Sequence, residues 1–214
     1  MKMGVETWSA VDLAGPIATG AVVAGFYDLT CPFCYVAQGK NDLLVSLGLE
    51  VVELPFQAHP EVPAGGLQIG ERHGPMYDAI GEAARDAGLP LRWQPRLPNS
   101  RPALAAAEWA RRFDHPKSDR YRRSLFAAHF AEGESIDDIG TLLRLGSEAG
   151  IDVVALKAAM DDGSAAQAVA ASQQLGRALG VTGTPTWASR GSALVGNRAV
   201  GDFERFAAAS RPAG

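Results

Sequence analysis

Short apolar runs lie near both ends of the chain, and longer segments with helical spacing separate them. Residues 21–26 form a short, partly β-branched apolar run bounded by turn residues, which is typical of a buried strand. Residues 49–56 form a second run of this kind, and residues 35–47 between the two carry helical spacing. The pattern therefore predicts a β-α-β unit, in which a right-handed crossover makes the two strands parallel. No element is predicted before the first run.

The middle of the chain, residues 71–180, is predicted to be almost entirely helical. Apolar positions there recur at helical spacing, and glycines stand where the segments end. Ser135 and Asp152 are predicted N-caps. A loop rich in proline and glycine at 59–66 precedes this block, and residues 91–94 are predicted as a short extended segment. The predicted helices are 75–87, 102–113, 118–132, 136–149, 152–160 and 164–179.

Strand character returns after the helical block, at residues 184–188 and 193–195, and a helix is predicted over 201–209. Because strands flank the block on both sides, a single sheet needs both ends of the chain, and the block must be an insertion packed against it. The predicted fold class is α/β, a thioredoxin-like fold with a large α-helical insertion. The predicted boundaries assign residues 1–64 and 176–214 to the thioredoxin-like domain and residues 65–175 to the insertion.

The amino-acid composition limits which binding partners and which cellular location are expected for the protein. The chain has 214 residues, of which 47% are hydrophobic and 21% charged, and its formal net charge of −4 favours neither nucleic acid nor an anionic membrane as a partner. No apolar stretch approaches the roughly 20 residues that span a bilayer, and no nucleotide-binding motif opens a predicted helix. The N-terminal stretch contains Lys2 and then the acidic Glu6 and Asp12, so no secretory signal and a cytoplasmic location are expected.

The chain contains only two cysteines, and both lie where the first predicted strand gives way to a helix. The spacing makes Cys31 the N-cap, Pro32 the first helical residue and Cys34 the third, so the two sulfurs can meet within one turn. Free backbone N–H groups at a helix N-terminus favour the thiolate, which is the nucleophilic form. A Cys-x-x-Cys motif in a β-α-β context is typical of thiol–disulfide exchange.

Three other roles for the cysteine pair compete with redox chemistry. A structural disulfide within one helical turn closes too short a loop to stabilise the fold much. A zinc site needs about four ligands, and the sequence offers no second cysteine pair or spaced histidines to complete one, so no metal is expected. Chance burial of two free thiols is the remaining alternative. The strand–helix context favours redox chemistry.

A second candidate segment, residues 181–186, contains a proline inside a strand pattern. Proline cannot donate a hydrogen bond to a strand ladder, which argues against an ordinary central strand. A cis peptide bond before Pro185 would resolve the conflict, because cis X-Pro bonds occur in tight bends. The alternative is an ordinary trans turn proline after Gly183.

Taken together, four stretches of the chain resemble the DsbA-type thioredoxin-like oxidoreductases, and within them the cytoplasmic FrnE-like branch. The resemblance extends loosely over residues 20–206 and implies thiol–disulfide exchange by a thioredoxin fold with a helical insertion. The matching stretches are 28–34, 55–63, 125–133 followed by Ile136, and 180–186.

The resemblance also implies roles for individual residues. Cys31 would be the exposed nucleophile, Cys34 the resolving thiol and Pro185 the cis-proline beside them. Thr184 precedes this proline where many FrnE-like chains have valine, so the substrate preference of the family is not carried over. The loop position of His59 favours a surface or structural role over catalysis. The candidate substrate-binding residues are Pro32, Phe33, Thr184 and His59.

The expected function is therefore thiol–disulfide exchange with a protein or small-molecule disulfide. The alternative is a glutathione-dependent isomerase or a kappa-type glutathione transferase on the same fold, although those enzymes usually carry serine or one thiol at this motif. A non-catalytic binding module is the third hypothesis, and the presence of both thiols counts against it. No cofactor is expected beyond the redox-active disulfide itself, although glutathione is a candidate co-substrate. The protein is expected to be a monomer or a homodimer. The arginines at 111, 112, 120, 122 and 123 form either a solvated helix face or a dock for an anion such as glutathione.

Overall fold

Residues 7–211 of the chain are described by a computed structural model. The expected absence of an N-terminal signal, and the outer ends of the predicted thioredoxin-like domain, lie outside these residues. In chain order the elements are α1 (Ala10–Thr19), β1 (Val23–Tyr27), α2 (Pro32–Val36), α3 (Gly39–Ser46), β2 (Val51–Pro55), β3 (Leu67–Gln68), α4 (Pro75–Asp86), β4 (Arg96–Leu97), α5 (Arg101–Phe113), α6 (His115–Ala127), a π-helical turn (Ala128–Glu132), α7 (Ile139–Ala149), α8 (Val153–Asp161), α9 (Ser164–Ala178), β5 (Thr186–Ser189), β6 (Ser192–Val195) and α10 (Val200–Ser210).

Strands from both ends of the chain form one four-stranded sheet with the order β2-β1-β5-β6. β1 pairs with β2 in parallel, as predicted, and with β5 in antiparallel orientation. All five residues of β1 are buried, because helices cover both faces of this central strand. Gly25 pairs with Glu53 on one side and Trp187 on the other. A Cβ at Gly25 would lie 3.2 Å from Trp187 Nε1, so this strand position has little room for a side chain.

Helices cover the two faces of the sheet, and the helical part of the chain has its own core. On one face, Leu13 and Ile17 of α1 pack with Phe26 of β1. On the other face, Leu44 of α3 and Phe203 of α10 belong to a second cluster. The third and largest cluster joins α4–α9 to α2. These findings agree with the predicted α/β thioredoxin-like fold and its many helices.

The division of the chain into two domains stays a prediction. The predicted boundary at residue 176 falls inside α9, which runs unbroken from Ser164 to Ala178. Near its end, Ser172 Oγ donates to Pro55 O at 2.9 Å and Gln173 Nε2 to Gln57 O at 3.1 Å, so this helix is bonded to the end of β2.

The structure contains a helix, α1, in a region where the sequence analysis predicted none. Ser9 and Asp12 form a capping box, in which the Asp12 N–H donates to Ser9 Oγ and the Ser9 N–H to the Asp12 carboxylate. The helix ends at Gly20, whose φ of 83° is left-handed. Its buried face carries only Ala10, Leu13 and Ile17, so the periodic signal was short.

Two further features of local structure differ from the sequence analysis. The strands of this region are β3 and β4, a two-stranded antiparallel ribbon in which Leu67 pairs with Leu97, and residues 91–94 belong to no strand. α7 begins at Ile139 rather than 136, because Asp138 rather than Ser135 caps it by accepting from the Thr141 N–H. Asp152 caps α8 as predicted.

Candidate active site

Cys31 and Cys34 lie at the junction of β1 and α2. Cys31 is the N-cap residue with extended backbone (φ −83°, ψ 114°), and Pro32 is the first residue of the helix. The N–H groups of Cys34 and Tyr35 both donate to the Cys31 carbonyl oxygen at 3.1 Å, which closes the first turn. Cys31 is partly exposed and Cys34 is buried, and both are free thiols. Cys31 is therefore the more accessible of the two thiols.

The short helix α2 is held in place by the helical part of the chain. The Tyr35 hydroxyl donates to Pro90 O at 2.6 Å, and its ring stacks on Phe130 with the centroids 4.8 Å apart. Cys34 and Tyr35 belong to the same buried cluster as Leu104 of α5. The position of the cysteine pair therefore depends on the helical block as well as on the sheet.

The segment before β5 lies against Cys31. The Thr184–Pro185 peptide bond is cis, in agreement with the sequence prediction. The Cys31 thiol donates to the Thr184 carbonyl oxygen, with 3.2 Å between the sulfur and the oxygen. Thr184 Oγ1 is buried and makes no hydrogen bond to any other described residue. Two segments that are 153 positions apart in sequence thus form one site.

The surroundings shift the pKa values of the two thiols in opposite directions. A hydrogen bond from the Cys34 side chain lowers the pKa of Cys31, and the nearby Thr184 hydroxyl and the Cys34 N–H act in the same direction. Burial and the nearby Asp28 carboxylate oppose them without reversing the result. Burial raises the pKa of Cys34, and the hydrogen bond to Cys31 and its negative charge raise it further. The arrangement favours one thiolate and one thiol.

Asp28, the residue after β1, ties the cysteine loop to the loop after β2. Its Oδ1 accepts hydrogen bonds from the Thr30 N–H at 2.9 Å and the Thr30 hydroxyl at 3.0 Å. Its Oδ2 accepts from the Ala58 N–H at 2.7 Å. The Asp28 carbonyl also accepts from the Cys31 N–H at 3.1 Å. This fully buried side chain was not predicted as part of the site, although an Asp two residues before a Thr is a known turn signal.

A small cavity of about 20 Å³ lies on the buried side of Cys34, next to Pro185. This volume is enough for about one water molecule. Polar groups line it as well as aromatic rings, and the Gln38 Oε1 atom is buried without a hydrogen-bond partner among the described residues. The polar lining residues are Gln38, Asn41, Glu53 and Arg122.

Glu53 and Arg122 form a largely buried ion pair at this cavity. Arg122 Nη2 lies 2.7 Å from Glu53 Oε2, and the two side chains are 6% and 21% exposed. Asn41 donates to Glu53 Oε1 and accepts from Trp187 Nε1 at 2.6 Å, which extends the network to β5. Burial raises the pKa of Glu53, and Arg122 only partly offsets this effect. The network was missed because its members come from β2, α3, α6 and β5.

The other predicted site residues have different surroundings. Phe33 is partly buried and packs with the core of the helical block, and Pro32 is partly exposed beside Cys31. His59 is exposed, and its Nδ1 lies 2.9 Å from Glu61 Oε1. The roles of Pro32, Phe33 and His59 in substrate binding stay predictions.

Three of the five clustered arginines pair with carboxylates, and Arg120 is exposed. Arg111 and Arg122 are buried, and Arg111 Nη2 lies 2.6 Å from Glu108 Oε1. Arg123 pairs with Asp119 and Asp42. Carboxylates of the same chain therefore neutralise these three arginines.

Two kinds of feature are absent from residues 7–211. No group of three or more His, Cys, Asp or Glu side chains is placed to hold a metal ion in this part of the chain. Within the same residues, no helix is long and apolar enough to cross a membrane.

The fold has many relatives among solved structures. A probable DsbA oxidoreductase from Streptomyces coelicolor superposes with a TM-score of 0.73 at 22% identity, covering 88% of this chain and 89% of that one. A 2-hydroxychromene-2-carboxylate isomerase gives a TM-score of 0.71 at 19% identity, covering 88% and 95%. The cytosolic disulfide reductase DsbM from Pseudomonas aeruginosa, with GSH, gives 0.63 at 24% identity, covering 88% and 98%. At these identities the likeness establishes the fold.

Comparison of the amino-acid sequence with known proteins identifies the family of this chain. The uncharacterized protein YwbO of Bacillus subtilis is 26% identical over 140 residues, which are 64% of this chain and 70% of that protein. The sequence profile of the DSBA-like thioredoxin domain matches residues 22–207, from the residue before β1 into α10. The chain therefore belongs to the DSBA-like thioredoxin domain family.

Proposed function

We propose that the protein is a thiol–disulfide oxidoreductase in which Cys31 is the nucleophile and Cys34 the resolving thiol. The observation that carries this proposal is the geometry of two adjacent free thiols at the start of α2, with partly exposed Cys31 against the Thr184 carbonyl and Cys34 buried behind it. The surroundings lower the pKa of Cys31 and raise that of Cys34, which agrees with these roles. A nucleophile needs the thiolate form and access to the substrate, whereas a resolving thiol acts only after the first bond has formed.

The reaction begins when the Cys31 thiolate attacks one sulfur of a substrate disulfide. The substrate S–S bond breaks, and its other sulfur leaves as a thiolate that takes a proton from water. Cys34 then loses its proton and attacks Cys31 Sγ, which releases the second substrate thiol. The substrate has gained two electrons and two protons, and Cys31 and Cys34 end as a disulfide. The reverse sequence oxidises a dithiol substrate.

Thr184 is the proposed docking point for the substrate backbone. In the thiol state its carbonyl oxygen accepts a hydrogen bond from Cys31. This donor disappears when Cys31 ionises or forms a mixed disulfide, so the same carbonyl becomes available to a substrate N–H. Phe33 and Pro32 provide apolar surface beside the reacting sulfur.

Glu53 is the proposed acceptor for the Cys34 proton. Cys34 and Glu53 line the same cavity, and a single water there could connect them. The raised pKa of Glu53 brings it closer to that of a thiol, which favours proton exchange between them. Arg122 favours the ionised carboxylate, which is the form that can accept the proton, and holds it in place at 2.7 Å.

We further propose a small thiol such as glutathione as the co-substrate and the cytoplasm as the location. DsbM, a structural relative, carries the description of a cytosolic disulfide reductase with GSH. The isomerase or transferase alternative shares the fold, but it gives no role to a buried Cys34 in contact with Cys31. Redox exchange uses both thiols.

The test is insulin reduction by glutathione in the presence of the protein, with Cys31→Ser and Cys34→Ser as a matched pair. Cys31→Ser should abolish turnover, and Cys34→Ser should accumulate a mixed disulfide at Cys31 that mass spectrometry detects. Multiple turnovers of Cys34→Ser with glutathione and a small electrophile would favour the isomerase or transferase alternative. Full activity of Cys31→Ser would contradict both functions.

A further inference from the structure

The ion pair between Glu53 and Arg122 continues outward as a row of alternating charges that reaches the protein surface. Arg122 Nη2 lies 2.7 Å from Glu53 Oε2 and 2.6 Å from Asp119 Oδ1, so one nitrogen serves two carboxylates. Asp119 Oδ2 accepts from Arg123 Nε at 2.7 Å, and Arg123 Nη2 lies 3.2 Å from Asp42 Oδ2. The Arg122 side chain is 6% exposed and that of Asp119 is 57% exposed. A surface carboxylate is thus joined to the Glu53 carboxylate through one buried guanidinium.

A second cavity of about 20 Å³ lies next to the cavity at Cys34. The two cavities share the lining residues Tyr27, Glu53 and Arg122. Each volume is enough for about one water molecule. The residues that line the second cavity alone are Ala107, Arg111, Ser118 and Asp119. Glu53 therefore borders two water-sized spaces, one that reaches Cys34 and one that reaches Asp119.

Aromatic rings restrict the position of the Arg122 guanidinium between its two carboxylates. Its central carbon lies 5.6 Å from the centroid of the Tyr27 ring and 5.9 Å from that of the Phe126 ring. Because this one cation faces two anions, the charge that stabilises ionised Glu53 is divided between Glu53 and Asp119. Removing the charge of Asp119 would leave the cation to Glu53 alone.

Charged groups of α6 and α3 act on Glu53 in opposite directions. Burial has the largest effect and raises the pKa of Glu53, whereas Arg122 lowers it. Asp119 raises it again, and the weaker effects of Arg123 and Asp42 oppose each other. The titratable groups that border the two cavities from other elements are Cys34 of α2, Tyr27 of β1 and Arg111 of α5. Asp119 therefore offsets part of the effect of Arg122 on Glu53.

We propose that Asp119 is a positioning residue for the resolving step, because it shares Arg122 with Glu53. This inference rests on the proposed function. The S–H proton of Cys34 passes through one water to the Glu53 carboxylate as Cys34 attacks Cys31 Sγ. The same proton then leaves Glu53 to water in the second cavity and reaches solvent beside Asp119, which restores the ionised carboxylate. A carboxylate that held the guanidinium alone would be a weaker base and would take the proton more slowly.

The test mixes the reduced full chain by stopped flow with an equimolar amount of dithiobis(nitrobenzoate), a disulfide that releases a coloured thiolate at each step. The first release reports the attack by Cys31, and the second reports the resolution by Cys34. Asp119→Asn should slow the second release about threefold or more, because Glu53 becomes a weaker base, and the first release should stay unchanged. Asp119→Glu keeps the charge, so its second release should lie within about twofold of that of the unaltered protein.

A second measurement follows the protonation of Glu53 directly. Carbon NMR of the full chain, isotope-labelled at its glutamate carboxylates, gives the midpoint of this titration, and Glu53→Gln identifies the signal. The midpoint should move to lower pH in Asp119→Asn. The matched control is Asp161→Asn, because Asp161 is an exposed carboxylate that pairs with Lys157 and lines neither cavity. Both the second release and the Glu53 midpoint should stay at their wild-type values in this control.

Four results would overturn the inference: an unchanged or higher Glu53 midpoint in Asp119→Asn, an unchanged second release, an equal slowing of both releases, or a second release as slow in Asp119→Glu as in Asp119→Asn. Failure of the proposed function gives a different result. No second release by the unaltered protein would contradict resolution by Cys34, and this inference would fail with it. A second release that is equally fast in the unaltered protein and in Asp119→Asn would contradict only the role of Asp119.

Discussion

Replacing Thr184 by valine tests how the site prepares Cys31. Valine has nearly the shape of threonine, with a methyl group in place of the hydroxyl. The Thr184 hydroxyl is buried without a hydrogen-bond partner, and its side chain lowers the pKa of Cys31. We therefore expect the hydroxyl to donate to the Cys31 thiolate when it forms, and the substitution to remove this donor. It should leave the contact between the Cys31 thiol and the Thr184 carbonyl in place.

The size of the effect follows from the energy of such a hydrogen bond. A hydrogen bond to a charged group contributes about 1.5–3 kcal/mol, and each 1.4 kcal/mol changes an equilibrium by about tenfold. At pH values below the pKa of Cys31, we expect its thiolate fraction to fall about tenfold, which corresponds to the lower end of that energy range. The lower end applies because Cys34 makes the largest contribution to the low pKa of Cys31. The reduced protein should be no less stable, since an unsatisfied buried hydroxyl costs about 1–3 kcal/mol.

The assay is the rate of alkylation of Cys31 by iodoacetamide as a function of pH. The midpoint of this curve should move to higher pH in Thr184→Val. Thr182→Val is the matched control, because Thr182 is exposed and two residues away, and its midpoint should stay at the wild-type value. An unchanged or lower midpoint in Thr184→Val would refute the reasoning, and urea denaturation at low pH checks the stability.

Three further predictions concern the buried network, the core and the pH dependence of stability. Glu53→Gln should slow the decay of the mixed disulfide by about 100-fold or more, as measured by stopped-flow mixing. The rate of Cys31 alkylation should stay unchanged. If the decay and the alkylation slowed equally, the proton-acceptor role would be contradicted. Gly176→Ala should lower the free energy of unfolding by about 1–3 kcal/mol, because the added Cβ would lie 2.8 Å from a Phe56 ring carbon. In the control, Gly15→Ala, the added Cβ lies in open space on α1, so the free energy of unfolding should rise by up to about 1 kcal/mol. Urea denaturation measures the stabilities of the two variants. Burial lowers the pKa of His129 from 6.5 to about 4. Below pH 6.5 the unfolded chain therefore binds a proton at this residue that the folded protein does not. The free energy of unfolding should fall by about 3 kcal/mol from this residue as the pH falls from 6.5 to 4. His129→Gln should show a smaller loss of stability between these pH values than the wild type, and parallel curves would contradict this assignment.

The parts of the site that depend on local sequence were predictable. Cys31, Pro32 and Cys34 lie within one helical turn, so their spacing alone determines which of them caps the helix and which is buried. Pro185 was predictable for a similar reason, because a proline in a strand pattern conflicts with the ladder around it. The family resemblance then supplied the expectation that these two segments meet.

The parts that depend on tertiary pairing were not predictable. Arg122 lies among other arginines in a polar stretch, which indicates a solvated face, and only packing against Glu53 explains its burial. The β3–β4 ribbon consists of two-residue strands, which are too short for any alternation to be detected. α1 carried a local signal in its capping box, but its buried stripe is short and Pro16 lies inside it.

The contact between Cys31 and Thr184 also bears on how the protein is made. Ribosomes add about 5–20 residues per second, so the 153 positions that separate these residues correspond to roughly 8–30 seconds of synthesis. During this interval Cys31 has neither the Thr184 donor nor a completed groove beside it, and of the two side chains that lower its pKa only Cys34 has been synthesised. The nascent chain therefore carries a less activated nucleophile than the folded protein and lacks the groove that docks a substrate. Full reactivity begins only when the last third of the molecule has folded onto the first.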